Sequence, residues 1–283
     1  MQFDMGRSTS TQLSKMDMYP RAPPIRNNQT EIDSIFFTHM HSDHSEDLSI
    51  FMQAKFHFLY KAGTQDIICT DPVGVDASLR TCAQYVAHIA DAFIASGEIA
   101  QRVGENGGRV ANPALVGNVL DFEPTTGFTP VEVWSKGDVT VQAITSNHIN
   151  GHASYRVNTP AGSIVIGGDA SNYSTDYVNR PTSASDQVKA LAQDADILVH
   201  STSHPVFRPG NPDADPTQPI YPGLFYNRQT NAPDVGGLAQ AADIKTVMTT
   251  HHIPSIGNPK HNIWPVPGGA LTKQDYIDAV HSG

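Results

Sequence analysis

Short apolar runs that each end in a polar cluster set the rhythm of this chain. "IDSIFF" (Ile32 to Phe37) runs into "THMHSDH", and "VTVQAIT" (Val139 to Thr145), which alternates at Val139, Val141 and Ala143, runs into "SNH". The arrangement recurs as "SIVIGG" before Asp169, "DILV" before His200 and "KTVMTT" before His251 and His252. Each run has the length of a strand, and each delivers a His or Asp at its end.

Between these runs the pattern changes period. "SASDQVKALAQDA" and "DVGGLAQAAD" read as helices ahead of "DILV" and "KTVMTT", and "ASYRVNTPAGSIVIGG" predicts a hairpin turning at Thr-Pro-Ala-Gly. The clearest helix is predicted over residues 76–103, where Cys82, Val86, Ile89 and Phe93 share one face. It ends near "GENGG", and the stretch from there to about Pro130 reads as loop-rich. Antiparallel strands mixed with helix crossovers predict a layered α/β architecture in one domain over residues 1–283. Segments 76–130 and 204–234, the second crowded with Pro, Asn and Asp, are expected as walls or lids of a site. "MYPRAPPIRNNQ" (Met18 to Gln29) is either an exposed loop or a homodimer contact.

Composition narrows the class. A 39% hydrophobic and 16% charged chain is that of a folded globular protein. The net charge of −10, from 28 acidic and 18 basic residues with no Lys/Arg run, leaves no basic footprint and predicts that nucleic acid is a disfavoured partner. Cys69 and Cys82 allow at most one disulfide. No apolar run approaches the ~18 residues of a membrane span, so no membrane partner is expected, and the start lacks a signal-peptide layout. Localisation stays open.

The chemistry concentrates in "FFTHMHSDHSEDL". In His39-Met40-His41 an extended backbone points residues i and i+2 to one side, so both imidazoles can reach one metal, while Asp43 and His44 lie beyond a turn and can address a second.

At Thr38 to His44 the chain resembles the metallo-β-lactamase superfamily, whose signature reads "THxHxDH". The resemblance continues in order through "FDMGRSTSTQL", "HINGHASYRV", "IGGDAS" and "THHIPS", nearly the whole chain. It implies a four-layer αββα sandwich with two divalent metals at one edge. Carried over, His39, His41 and His148 hold one metal, Asp43, His44 and His251 the other, and Asp169 bridges. His148 is preferred to His152 because it directly ends its strand, seven residues before Tyr155-Arg156. His251 is preferred to His252 because His251 to Pro254 keeps the family's His-x-x-Pro spacing. These donors suit zinc first, with manganese or iron as alternatives.

"DILVHSTSH" looks like the His-Glu-Ala-Thr segment of the ribonuclease Z and arylsulfatase-like branch, with Ser201 where that branch has Glu. Asp43 and His200 are thus the catalytic candidates, His200 as proton donor to the leaving group. His148 and Asp169 stand 21 positions apart, which leaves no room for the tRNA-binding arm that ribonuclease Z commonly inserts there. The expected function is therefore a dinuclear hydrolase whose metal-bridging hydroxide cleaves a small anionic ester, a phosphodiester or sulfate ester. A lactonase or β-lactamase, and a non-catalytic metal-binding protein, are the alternatives. Relatives begin with a strand ahead of the "FDMG" segment, so the first hairpin is expected to be absent or the chain truncated.

Overall fold

A computed structural model of the chain describes residues 1–15, 32–52, 65–74, 80–98, 100–101, 117–172, 182–207 and 228–283. Two compact units result, Met1–Pro124 and Thr125–Gly283, and each is described by itself.

In the first unit, β1 (Gln2–Phe3), β2 (Ser34–Phe36), β3 (Gln65–Thr70) and β4 (Gly117–Phe122) form an all-parallel sheet in that order. Central parallel strands are covered on both faces and need apolar residues at successive positions. Ile35 and Phe36 in β2 and Ile67 and Ile68 in β3 are accordingly all inaccessible to solvent. Helix α1 spans Thr9–Lys15, α2 Ser42–Ser45 and α3 Cys82–Ala95. The start of α3 is set by a capping box: Gln84 N donates to Thr81 Oγ1 at 3.2 Å, and Thr81 N donates to Gln84 Oε1 at 3.0 Å. Thr81 therefore starts the helix six residues later than the apolar periodicity predicts. Cys82, Val86 and Ala90 face the core with Ile89 packed beside them. Strand β4 lies in the stretch that sequence reads as loop-rich. Its Val119 and Leu120 are only half-buried, which explains the weak apolar signal.

The second unit carries six strands in the order β10-β9-β8-β7-β6-β5. β5 (Val131–Lys136), β6 (Val139–Thr145), β7 (Ala153–Thr159) and β8 (Gly162–Gly168) pair antiparallel, with the predicted hairpin closing at Thr159 opposite Gly162. β9 (Ile197–Ser203) and β10 (Thr246–Ile253) then add parallel, each reached through a helix, α4 (Asp186–Leu191) and α5 (Ala232–Ala241). The helices lay Val188, Leu191, Val235 and Leu238 on Ile144, Val165 and Leu198 of the sheet. A last helix, α6, spans Lys273–His281. Because β9 and β10 keep pairing beyond their apolar runs, His200 and His251 lie within strands rather than at strand ends. Parts of the expected wall segments, including 102–116 and 208–227, and all of Met18–Gln29 lie outside the described residues. Among the described residues no helix is long and apolar enough to cross a membrane.

Cys69, the last residue but one of β3, is disulfide-bonded to Cys82, the first residue of α3, with Cα atoms 5.9 Å apart. A loop of this size is worth about 2–4 kcal/mol through the entropy of the unfolded chain. Reduction, or Cys82→Ser, should lower the unfolding free energy by about that amount. Two titratable thiols in protein denatured without reductant would contradict the bridge.

Candidate functional site

In the first unit the potential ligands are placed by the parallel pairing of β1 with β2. Asp4 follows β1 and so lies beside Thr38, which follows β2. Its carboxylate accepts Thr38 N at 2.7 Å and Thr38 Oγ1 at 2.8 Å, and its Oδ2 stands 2.8 Å from His44 Nδ1. A Cβ on Gly6 would collide with the Asp43 carbonyl, so a glycine is needed for this turn to sit on α2. His41, itself in an extended conformation, caps α2, which carries Asp43 and His44.

The predicted i, i+2 arrangement is present: His39 Nε2 stands 2.8 Å from His41 Nδ1, while His39 Nδ1 meets Thr38 Oγ1 at 3.0 Å. The His39 and His44 rings are 4.1 Å apart, and His44 Nε2 is 3.7 Å from Asp43 Oδ2. His39 and His44 are buried, whereas the Asp43 side chain is 57% exposed. One short stretch thus gathers three imidazoles and a carboxylate.

The second unit gathers His148, Asp169 and His251. His148, after β6, donates from Nδ1 to the Arg228 carbonyl at 2.9 Å, and its Nε2 lies 3.9 Å from Asp169 Oδ2. His251 Nε2 lies 3.7 Å from the same oxygen. These separations are too long for hydrogen bonds. They approach those of donors sharing one cation, since two ligands about 2.0–2.2 Å from a tetrahedral metal are roughly 3.3–3.6 Å apart. The β-bulge between Thr250 and His252 takes His251 out of the ladder, in the left-handed region at φ 45°. It is this bulge, rather than simple strand alternation, that separates the directions of His251 and His252. Gln229, absent from the sequence expectations, donates from Nε2 to Asp169 Oδ2 at 2.9 Å and contacts His251 Nδ1 at 3.0 Å.

Three other histidines are engaged differently. His152 is fully buried, with Nδ1 on Ser146 Oγ at 2.9 Å and Nε2 accepting Asp169 N at 3.2 Å, so both its nitrogens serve the local chain. His252 Nε2 meets Thr249 Oγ1 at 2.9 Å and its ring lies against Tyr276. Burial, and then the neighbouring His251, hold its pKa down. His200 is wholly buried in β9, with Nδ1 on the Ser201 carbonyl at 2.7 Å and its ring so close to Gly167 that no Cβ fits there. Burial pushes its imidazole pKa down, against the upward pulls of the Ser201 carbonyl and the Asp169 charge.

In each unit the donor set suits a divalent cation. His39, His44 and His148 are each held through Nδ1 by an oxygen, which leaves Nε2 to coordinate, the arrangement that outer partners of metal-bound histidines provide. Asp4 belongs to the "FDMG" segment, to which the sequence assigns no role. Its position beside Thr38 is a consequence of parallel pairing that spacing alone does not reveal.

No protein-family model matches the chain. Sequence comparison finds ribonuclease Z of Mycobacterium bovis (strain BCG), 20% identical over 246 residues that cover 86% of this chain and 75% of that one. Ribonuclease Z of Pediococcus pentosaceus is 25% identical over 71% of this chain and 65% of its own. Among solved structures, the short form of human tRNase Z aligns with a TM-score of 0.54 at 18% identity, covering 88% of this chain and 80% of that one. Zinc-bound PqqB from Methylobacterium extorquens aligns with a TM-score of 0.50 at 12% identity, covering 88% and 71%.

These relatives overturn the expectation that nucleic acid is a disfavoured partner. That expectation rested on net charge, a sum over the whole chain that does not describe the field at one site. The chain has the metallo-β-lactamase fold and is a metal-dependent hydrolase similar to ribonuclease Z.

Proposed function

We propose that the protein is a metal-dependent phosphodiesterase acting on RNA. The observation that carries this reading is the match to ribonuclease Z along 86% of the chain, in a protein that keeps a His or Asp at every position of the resembling ligand pattern. In this reading His39, His41 and His148 serve one divalent cation, Asp43, His44 and His251 a second, and Asp169 both. Zinc is the first choice for imidazole and carboxylate donors. Bound there, such a pair activates water near neutral pH and offsets the charge that develops on the scissile phosphate.

The chain's own residues prepare the donors. Asp4 orients His44 and holds the Thr38 loop, and the Arg228 carbonyl keeps the His148 proton on Nδ1. Residues between His148 and Asp169 are taken up by the β7–β8 hairpin, so RNA is gripped by a surface other than an arm inserted there. His200 is the proposed proton donor to the leaving oxygen. That role needs the imidazolium form, which Asp169 favours and burial opposes.

Three measurements bear on this reading. A precursor tRNA with a 3′ trailer should be cleaved, with activity lost on chelation and restored by zinc or manganese; turnover of an aryl sulfate but of no phosphodiester would contradict the proposal. His148→Ala and His251→Ala should each lower zinc content and cut activity by at least about 100-fold, whereas His152→Ala and His252→Ala should leave zinc content unchanged in whatever protein folds. His200→Ala should slow substrates with poor leaving groups by roughly 100-fold and those with good ones much less. Equal slowing would assign His200 to packing against Gly167.

A further inference from the structure

The segment 228–231 is fastened on several sides within the second unit. Ser203 N donates to the Thr230 carbonyl at 3.0 Å, Thr230 Oγ1 donates to the Ala170 carbonyl at 2.7 Å, and Asn231 N donates to Ser183 Oγ at 2.8 Å. Two consecutive residues of this anchored stretch touch all three potential ligands of the unit. The Arg228 carbonyl takes His148 Nδ1, and the Gln229 amide meets both Asp169 and His251. Gln229 lies 60 positions from Asp169 and 22 from His251, and it is only 3% exposed.

We propose that Gln229 is a positioning residue for metal binding: its single amide nitrogen, held by the anchored 228–231 segment, sets the spacing of the Asp169 carboxylate and the His251 imidazole. The inference rests on the reading of those two residues as ligands. Two features of the geometry support it. Ser203 Oγ reaches the amide oxygen at 3.5 Å, the outer limit of a hydrogen bond, so the orientation of the amide is set mainly by its nitrogen. That nitrogen faces Asp169 Oδ2, the same oxygen that both His148 and His251 approach through Nε2. An amide nitrogen only donates, so His251 Nδ1 accepts across the 3.0 Å contact, and what the amide fixes is the place of the ring beside the carboxylate. His251 also occupies the left-handed region, where a non-glycine residue persists only if its surroundings hold it. The amide is such a restraint.

The test compares zinc affinity of the full chain, measured by competition with a chromogenic chelator, with thermal unfolding of the metal-free protein. Gln229→Met keeps the length of the side chain and removes the amide; it should bind zinc 10- to 100-fold more weakly while remaining folded. Gln229→Asn keeps an amide but withdraws it by one methylene, and should show the same loss; it decides the matter if the Met variant fails to fold. A folded variant with wild-type zinc affinity, beside an Asp169→Ala control that loses zinc, overturns the role of Gln229. Wild-type zinc content in Asp169→Ala overturns the ligand reading instead.

Discussion

A neutral imidazole can offer a lone pair to a cation from one ring nitrogen only while the proton sits on the other, so the hydrogen bond at the far nitrogen decides what the ring can do. In this protein Thr38, Asp4 and the Arg228 carbonyl take Nδ1 of His39, His44 and His148 respectively, while Gln229 holds the His251 ring by donating to its Nδ1. Each partner belongs to a segment whose place is set by the sheet or by anchored loops. Asp4 is beside Thr38 because β1 pairs in parallel with β2, and Arg228–Gln229 is tied through Thr230 to Ala170, next to Asp169. The placement of these rings thus depends on backbone register in both units.

Burial raises the stakes of this arrangement. Asp169 is 3% exposed, and a carboxylate so placed is costly without donors or a cation. Gln229 and a divalent cation are complementary in that respect, one supplying a fixed N–H and the other charge. His152 adds to the local order by accepting Asp169 N, which is why this histidine, attractive as a ligand from its position in the sequence, is occupied with the backbone instead.

Much of the fold was legible because its signals are local. The β7–β8 hairpin follows from alternation around Thr-Pro-Ala-Gly, and the helices before β9 and β10 from their apolar spacing. His39, His41, Asp43 and His44 were legible for the same reason, since six consecutive positions carry the motif. What escaped depends on pairing across the chain. Strand β4 presents half-buried residues that leave no strong pattern, the start of α3 is set by one threonine, and the extension of β9 and β10 past their apolar runs is a property of the ladder. Gln229 carries no sequence signature at all, because a glutamine acquires this role only from two residues that are remote from it along the chain. Net charge misled for a related reason: −10 is summed over all 283 residues, whereas a phosphodiester meets only the field near the cations.

The central claim is that histidine and carboxylate side chains of this chain form an imidazole-rich metal shell. X-ray absorption at the zinc edge of the loaded full-length protein addresses it directly. The account predicts nitrogen and oxygen scatterers at about 2.0–2.2 Å with the outer-shell pattern of several imidazoles per metal. A shell without imidazole, or one dominated by sulfur at about 2.3 Å, would contradict it.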